Sequence, residues 1–542
     1  MADVKVFKDP IYGYIEVEND LIKKVIDKPA FQRLRRIIQT SYSPLYTSAI
    51  HNRFTHSLGV YYLGKIAINS IFQKKNTLFS NIPYVQKVFL YACLLHDVGH
   101  APFSHTGEKF YLNPDRSKLH EQLINCVGDT DLRSDIPPTK GANPHEIMSA
   151  IVGITEFSEL FSSPDEKDFF ARAITGYHYK SHNVDNDIKN CFIDLLNSKY
   201  IDVDKLDYLM RDTYMTGFES VNIDYNRLLT SIDIFKDSNS SIHLVYEKNA
   251  ISVIENVVYA RDLEKKWIQI HPAVLYDIYL LEKSMIDLKS KLDIIGDTPE
   301  QCKYLFSYEA LTSQGITLKD NTYIRLLSDD DLIYLTKNKY PNQYIEEYYD
   351  RNTRRHPLWK SESEYLSFFI SSMTKDEQEN FSNTMIKLAS FLEKNGFDCI
   401  NDEIIEFLNN EITETETLLQ TQTSDNSNEQ SYKTIIKDAK DYLKILEPLK
   451  SFSCENNIPF DYILLKNDLF YSAFSNDDFN EIEILFKKDD EKSIKKFKNI
   501  GSLDGKEKKL EKFYYLFYIR NQDNREFDIK KLVRAIKNKF SD

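Results

Sequence analysis

The feature that most constrains this chain is a run of histidines and one aspartate at the end of an apolar segment, residues 94–105. Apolar residues recur at helical spacing over residues 85–92, which predicts one buried helix face. His96 continues that face, and His100 follows it one turn later. Imidazole nitrogen and carboxylate oxygen together bind borderline divalent ions, so His96 and Asp97 predict a metal site.

Two further segments supply matching ligands. His56, in residues 51–60, shares a helical face with the apolar residues that follow it. In residues 201–212, Asp204 begins a four-residue repeat of polar side chains among apolar ones. The sequence therefore predicts a site of two histidines and two aspartates that leaves positions open for water and substrate. Its members are His56, His96, Asp97 and Asp204.

Composition limits the classes of protein that remain. The chain has 542 residues, 42% of them hydrophobic, and a net charge of −14, which disfavours a general nucleic-acid-binding surface. Six cysteines form no CxxC pair, and no apolar run approaches the length of a membrane span. We therefore expect a folded cytoplasmic protein without a membrane partner. The bias toward Lys, Ile, Asn and Tyr suggests an AT-rich bacterial genome.

Five ordered segments carry a family resemblance: residues 6–13, 31–35, 51–60, 96–105 and 202–212. Together they resemble the HD-domain deoxynucleoside triphosphate (dNTP) triphosphohydrolases, both the bacterial dGTPase-like enzymes and the human-type enzyme with a sterile alpha motif. The resemblance covers roughly residues 1–360. It implies attack on the α-phosphorus of a dNTP, with release of intact triphosphate and a deoxynucleoside.

The fold class expected from pattern and resemblance is mainly α, with an all-helical HD-domain core and a small α/β C-terminal region. The four predicted regions are the core at 1–360, a helical extension at 361–412, a flexible loop or linker at 413–430 and the α/β region at 431–542. Within the last region, residues 462–465, 482–486 and 513–519 are predicted strands.

Catalytic residues are assigned by resemblance. His105 and His145 are the candidates to protonate the leaving 5′ oxygen, because imidazole titrates near neutrality. Glu108 lies within helical reach of His105, and His100 is expected to line the same pocket. His120, which like His145 precedes a glutamate, is the alternative for the second catalytic histidine.

Substrate contacts follow from charge and from the same resemblance. Arg53, one helical turn before a predicted metal ligand, can fork onto phosphate oxygens. Gln39 and Asp212 resemble the residues that hold the sugar. The remaining expected phosphate contacts are Lys205, Tyr208 and Arg261.

Regulation is a further expectation from the family. Asp27, Gln32 and Arg35 resemble residues that read an activating guanine nucleotide, such as GTP, although a packed helix with a solvated basic face explains them equally well. The family also implies a homo-oligomer, such as a dimer, tetramer or hexamer, and activation by GTP or a dNTP. The chain departs from the family at Gln269 and Pro272, where a tyrosine and a lysine are usual.

Three functional classes remain open from the sequence. The favoured class is a dNTP triphosphohydrolase that controls dNTP pools or defends against phage. The alternatives are an HD phosphohydrolase that acts on another nucleotide phosphate ester, and a nucleotide-sensing or nucleic-acid-binding protein without turnover. The expected ligand set suits Mn²⁺, Fe²⁺, Co²⁺, Ni²⁺ or Zn²⁺, with Mg²⁺ at an added phosphate-bound site.

Overall fold

Helices dominate the chain, and each β-sheet is small. A computed structural model of the 542-residue chain describes residues 4–40, 45–75, 79–108, 110–111, 116–128, 130–137, 141–238, 240–295, 305–318, 321–368, 372–421, 426–468, 481–488, 491–497, 512–519 and 529–541. These residues contain 22 α-helices, which confirms the mainly α class. No helix within them is both long enough and apolar enough to cross a bilayer.

The α-helices are α1 Asn19–Leu21, α2 Pro29–Gln32, α3 Arg53–Lys75, α4 Val85–Leu95, α5 His105–Glu108, α6 Arg116–Val127, α7 Leu132–Asp135, α8 Pro144–Glu156, α9 Pro164–Thr175, α10 Val184–Leu196, α11 Val203–Thr216, α12 Tyr225–Thr230, α13 Ile251–Glu264, α14 Pro272–Ile295, α15 Tyr308–Leu311, α16 Asp329–Tyr334, α17 Gln343–Tyr349, α18 Glu362–Phe368, α19 Lys375–Asn395, α20 Asp402–Thr421, α21 Asn426–Asn456 and α22 Ile529–Ser541. Short π-helical turns follow α1, α13 and α16.

The strands are β1 Val4–Asp9, β2 Gly13–Glu18, β3 Ile232–Lys236, β4 Ile242–Glu247, β5 Ile316–Thr317, β6 Tyr323–Ile324, β7 His356–Pro357, β8 Tyr462–Asp468, β9 Glu483–Lys488, β10 Glu491–Lys496 and β11 Lys512–Tyr518. They form hairpins β1–β2 and β5–β6, a four-stranded sheet in the order β10-β9-β4-β3 and a three-stranded sheet in the order β7-β11-β8.

The chain divides into two compact units. Unit 1 comprises Met1–Gln269, Ile278–Glu346 and Tyr471–Lys506, and unit 2 comprises Ile270–Asp277, Glu347–Phe470 and Glu507–Asp542. Every site residue expected from the sequence lies in unit 1. The four regions expected from the sequence remain a prediction about folding domains.

Helices α3, α4 and α11 position the predicted metal ligands. Their apolar faces are buried, and His56 faces inward from α3 as its spacing predicts. Helix α4 ends at Leu95, so the expected continuation of the helix through His96 and His100 is wrong. His96 instead lies in the turn of residues 96–99 and His100 follows it, with backbone hydrogen bonds from the Val98 N–H to Leu95 O and from the His100 N–H to Asp97 O.

Helices occupy the described part of residues 413–430, where the sequence predicts a flexible loop or linker. Helix α20 extends through Thr421 and α21 begins at Asn426, and residues 422–425 lie outside the described part. Glu and Gln are good helix formers, and packing against a neighbouring helix offsets a scarcity of apolar residues. Leu419 of α20 and Ile436 of α21 line one groove, and Lys440 pairs with Glu416 at 2.9 Å.

The three strands predicted near the C-terminus are present as β8, β9 and β11. They do not share one sheet. Strand β9 pairs in parallel with β4 of unit 1, with Tyr246 opposite Ile484, whereas β8 and β11 pair with each other in unit 2. The parallel pairing joins segments more than 200 residues apart, a long-range contact that local sequence pattern does not encode.

Candidate active site

Two histidines and one aspartate converge at the end of α4. The Nε2 atoms of His56 and His96 lie 3.2 Å apart, and Asp204 Oδ1 lies 2.9 Å from the first and 3.6 Å from the second. Both histidines are buried, whereas the Asp204 side chain is 35% exposed. The cluster therefore has one open side.

Asp97, the fourth expected ligand, borders the same cluster. Its Oδ1 lies 3.5 Å from His96 Nε2 and its Oδ2 lies 3.6 Å from His56 Nε2. Arg53, at the start of α3, forms a buried ion pair with Asp97 and donates from Nε to Ser104 Oγ at 2.8 Å. Arg53 thus connects the metal-ligand cluster to the residue that precedes His105.

Asp207 orients His56, a role that the sequence analysis did not assign. Its Oδ2 accepts from His56 Nδ1 at 2.7 Å, which leaves Nε2 directed at the cluster. Arg211 and Tyr12 both donate to Asp207, at 2.8 and 2.6 Å. A Cβ at Gly59 would collide with Asp207, so glycine permits this close approach of α3 and α11. The signal in the sequence was the i, i+4 pair of Asp207 and Arg211 on one helix face.

The cluster fits a divalent cation. Ligands bound at about 2.1 Å and right angles are separated by about 3 Å, close to the observed spacing. Burial lowers the pKa of His56, but its bonds to Asp204 and Asp207 outweigh burial and raise it to about 10. The surrounding field therefore favours positive charge at His56 Nε2, which a bound cation would supply in place of the proton.

Three histidines surround Glu108 in a second cluster. Glu108 Oε1 lies 2.9 Å from His145 Nδ1 and 3.8 Å from His100 Nε2, and it also accepts from His105 Nδ1. The rings of His100 and His145 stack with centroids 4.3 Å apart. His100 and His145 are buried, whereas the His105 side chain is 70% exposed.

The surroundings of each group in this cluster shift its pKa in a different direction, so the groups differ in protonation. Burial opposes ionisation of Glu108, but the neighbouring His145 and His105 outweigh it and lower its pKa to about 2. Burial likewise opposes charge on His145, but Glu108 raises the pKa of His145 to about 9. Burial, followed by Arg53 and His145, holds the pKa of His100 well below its usual range. At neutral pH the cluster therefore holds a carboxylate, a protonated His145 and a neutral His100.

Close packing of α8 brings His145 to this cluster. Gly99 donates its N–H to Ser149 Oγ at 3.0 Å, and a Cβ at Gly99 would collide with the backbone of Met148. His120, the alternative considered for the role of His145, instead bonds to Tyr177 OH at 2.7 Å. The structure therefore brings His145, and not His120, beside Glu108.

A cavity of about 320 Å³ adjoins His105. Its lining includes two segments, residues 39–40 and 103–106, together with side chains of α11 and of the turn after α13. Asp212 is buried in this lining and accepts from His51 Nε2 at 2.7 Å. The buried Gln39 Oε1 has no hydrogen-bond partner in the described structure. The size and the few convergent polar groups are typical of a small-molecule site.

The other expected substrate residues differ in placement. Tyr208 lines the cavity. Burial raises the pKa of Tyr208. Arg261, on α13, is close enough for its charge to oppose that rise. Lys205 is directed elsewhere, since its Nζ donates to Asp202 Oδ2 at 2.6 Å and to Ser198 O at 2.8 Å.

Gln269 and Glu264 add a polar pair to the cavity. Gln269 Nε2 donates to Glu264 Oε1 at 2.8 Å, and both side chains line the cavity. Burial, reinforced by Asp212, raises the pKa of Glu264 well above its usual range. From the sequence, Gln269 was expected only as a departure from the family, and Glu264 had no expected role.

The residues expected to read an activating nucleotide lie on the first short helices. Gln32 accepts from Arg35 Nε at 2.9 Å, and the Arg35 guanidinium lies 3.5 Å from the centre of the Phe54 ring. Asp27 is exposed. Gln32 and Arg35 are thus hydrogen-bonded to each other, and their role in nucleotide binding stays a prediction.

Known proteins resemble the chain in sequence and in fold. It is 34% identical over 244 residues to the deoxynucleoside triphosphate triphosphohydrolase SAMHD1 of Homo sapiens, a match that covers 42% of this chain and 35% of the human protein. It is 29% identical over 276 residues to the uncharacterized protein YwfO of Bacillus subtilis, which covers 50% of this chain and 53% of that protein. The chain thus spans about half or less of the length of these relatives. No protein-family model matches it.

A solved structure supports the fold alone. The phosphohydrolase of Bacteroides thetaiotaomicron matches 95% of this chain with a TM-score of 0.55 and 19% identity. The sequence relatives and the histidine–aspartate cluster together support the class of metal-dependent HD phosphohydrolases. Within that class, the chain is a relative of the HD-domain dNTP triphosphohydrolases, which confirms the resemblance seen in its motifs.

Proposed function

We propose that this chain hydrolyses dNTPs to a deoxynucleoside and intact triphosphate. The observation that carries the proposal is the connection between its two clusters. Arg53 bonds both to Asp97 in the metal-ligand cluster and to Ser104, which precedes His105 of the second cluster. A cation and a proton donor would therefore act on the same phosphate.

A divalent ion held by His56, His96, Asp97 and Asp204 would supply an activated water and neutralise phosphate charge. The protein supplies the proton for the leaving group. The buried His145 is protonated at neutral pH because Glu108 lies 2.9 Å from its Nδ1. His105 is exposed and hydrogen-bonds to the same carboxylate. It would complete the path by which a proton reaches the leaving 5′ oxygen.

Substrate contacts are part of the proposal. Asp212 would hold the sugar end of the nucleotide, together with Gln39, whose buried side-chain oxygen is unpaired among the described residues, and Tyr208 would contact phosphate. Arg261 would contact phosphate from α13. Lys205 would have to exchange its bond to Asp202 for phosphate, so its contribution should be the smallest.

Regulation and cellular role extend the same proposal. A guanine nucleotide would bind at Asp27, Gln32 and Arg35, and binding there would promote a homo-oligomer. The protein would act in the cytoplasm to control dNTP pools or to defend against phage. Size-exclusion chromatography with and without GTP tests the assembly, which should enlarge with GTP in the native chain and stay unchanged in Arg35→Ala.

The direct test of the activity is product analysis. The purified chain is incubated with each dNTP and with GTP, singly and in mixtures, with Mn²⁺ or Mg²⁺. Asp97→Ala removes a metal ligand, and His182→Ala, an 85% exposed histidine, is the matched control. Intact triphosphate from the native chain and the control, absent with Asp97→Ala, supports the proposal. Pyrophosphate with a monophosphate, or no turnover in any mixture, contradicts it.

A further inference from the structure

One carboxylate joins two segments that line the cavity. Asp329 Oδ2 accepts from the N–H of Ile38 at 2.8 Å, and Asp329 Oδ1 accepts from the N–H of Phe103 at 2.7 Å. Ile38 directly precedes the cavity residues 39–40, and Phe103 begins the cavity segment 103–106. Asp329 itself comes from the start of α16, more than 200 residues away in sequence from both.

The second of these segments is strained. Phe103 and Ser104 have φ angles of 57° and 54°, in the left-handed region that non-glycine residues rarely adopt. Such conformations cost free energy and persist only where the surroundings impose them. Here Asp329 holds the Phe103 N–H, while Ser104 Oγ donates to Ile38 O and accepts from Arg53. His105 follows this turn directly.

Arg33 also binds backbone carbonyls next to these segments. Its Nη1 donates to Leu327 O at 2.7 Å, and its Nη2 donates to Val98 O at 3.1 Å and His100 O at 2.7 Å. Both Arg33 and Asp329 are buried. The approach to α16 is thus bound to the turn that carries His96 and His100 as well as to the turn before His105.

We infer that Asp329 is a positioning residue that holds the two cavity segments, and with them His105, in one fixed arrangement. The inference rests on the proposed function for its catalytic consequence, but the positioning itself can be tested without turnover. The charged groups that act on the Asp329 carboxyl are Arg33 and Asp330. Burial raises the pKa of Asp329 to about 7, against its two N–H donors, so the carboxylate is held at an energetic cost.

The test compares Asp329→Asn with Asp331→Asn in the full chain. Asparagine keeps one side-chain oxygen, so Asp329→Asn leaves one of the two N–H groups without its acceptor. Asp331 is the matched control, because it caps the same helix through Ser328 and touches neither segment. Hydrogen exchange followed by mass spectrometry reports on residues 37–40 and 98–106. We expect exchange there to accelerate roughly 10-fold or more in Asp329→Asn and to stay unchanged in Asp331→Asn.

Measurement of kcat tests whether the positioning role of Asp329 matters for catalysis. Displacement of His105 by a fraction of an ångström to one ångström should lower kcat by roughly 10²-fold with a smaller effect on KM, and Asp331→Asn should retain the native kcat. Unchanged exchange in Asp329→Asn, or equal exchange in both variants, overturns the inference. Faster exchange in a chain that hydrolyses no dNTP supports the positioning role while it contradicts the proposed function, so the two failures are distinguishable.

Discussion

Glu108 controls the charge of the second cluster, because it accepts a hydrogen bond from His105 and lies 2.9 Å from His145 Nδ1. Its carboxylate has a pKa of about 2, and it raises the pKa of His145 to about 9 against the opposing effect of burial. The ion pair between Glu108 and His145 therefore contributes stability that is full between pH 4.5 and 6.5. This stability is lost as pH falls through about 2 or rises through about 9.

The first prediction concerns the pH dependence of turnover. If protonated His145 is the acid, native kcat should hold through neutral pH and decline as pH rises through about 9. Glu108→Gln removes the raising charge, so the decline should move to lower pH and kcat at pH 7 should fall. Glu121→Gln, which affects only an exposed pair with Arg133, is the control. An alkaline limb that stays in place in Glu108→Gln would rule out this acid.

The second prediction concerns metal affinity. Asp207→Asn should weaken Mn²⁺ binding by roughly 10- to 100-fold, because it removes the charged acceptor that orients His56. Isothermal titration calorimetry measures the affinity directly. Asp20→Asn, which alters an exposed pair with Lys24, should bind Mn²⁺ as the native chain does. Equal affinity of the Asp207 and Asp20 variants would contradict a role for Asp207 at the metal site.

At the level of helices and strands, local pattern predicted the parts of the site that lie inside regular elements. The inward face of α3 and the repeat on α11 follow from helical spacing. The pattern missed the end of α4 at Leu95, because the turn that follows is stabilised by partners distant in sequence, such as Ser149 bonded to Gly99. It also missed Asp329, whose role depends entirely on tertiary contacts.

The third prediction concerns strand β9. Ile484 is fully buried in the four-stranded sheet of unit 1, so Ile484→Ala should lower the free energy of unfolding by roughly 2–5 kcal/mol. Urea unfolding followed by circular dichroism measures the change. Lys495→Ala, on the neighbouring strand β10, is exposed and should change stability by less than about 0.5 kcal/mol. Similar small effects of both substitutions would show that β9 contributes little to unit 1.

For the whole molecule, class and fold were accessible from sequence, whereas long-range organisation was not. The motifs sufficed to identify this chain as a relative of the dNTP triphosphohydrolases. The inclusion of β9 and β10 in unit 1 depends on pairing across a long stretch of chain, and no periodicity within those strands specifies their partner.

The fourth prediction concerns ion removal. A cation that binds only the folded chain stabilises it, by about 2.7 kcal/mol at 100 times its Kd. Chelation should therefore lower the Tm and abolish turnover, and added Mn²⁺ should restore both. In His96→Ala the Tm should respond far less to Mn²⁺, because His96 is part of the proposed site. An unchanged Tm of the native chain across chelation and Mn²⁺ addition would argue against a cation at this site.

The most direct test of the central claim is hydrolysis of a dNTP in ¹⁸O-labelled water, followed by mass spectrometry of both products. Attack on the α-phosphorus with release of the 5′ oxygen places the label in intact triphosphate and leaves the deoxynucleoside unlabelled. That is the result the proposed arrangement of cation, His145 and Glu108 predicts. Label in the deoxynucleoside, or label in a monophosphate or pyrophosphate product, would contradict it.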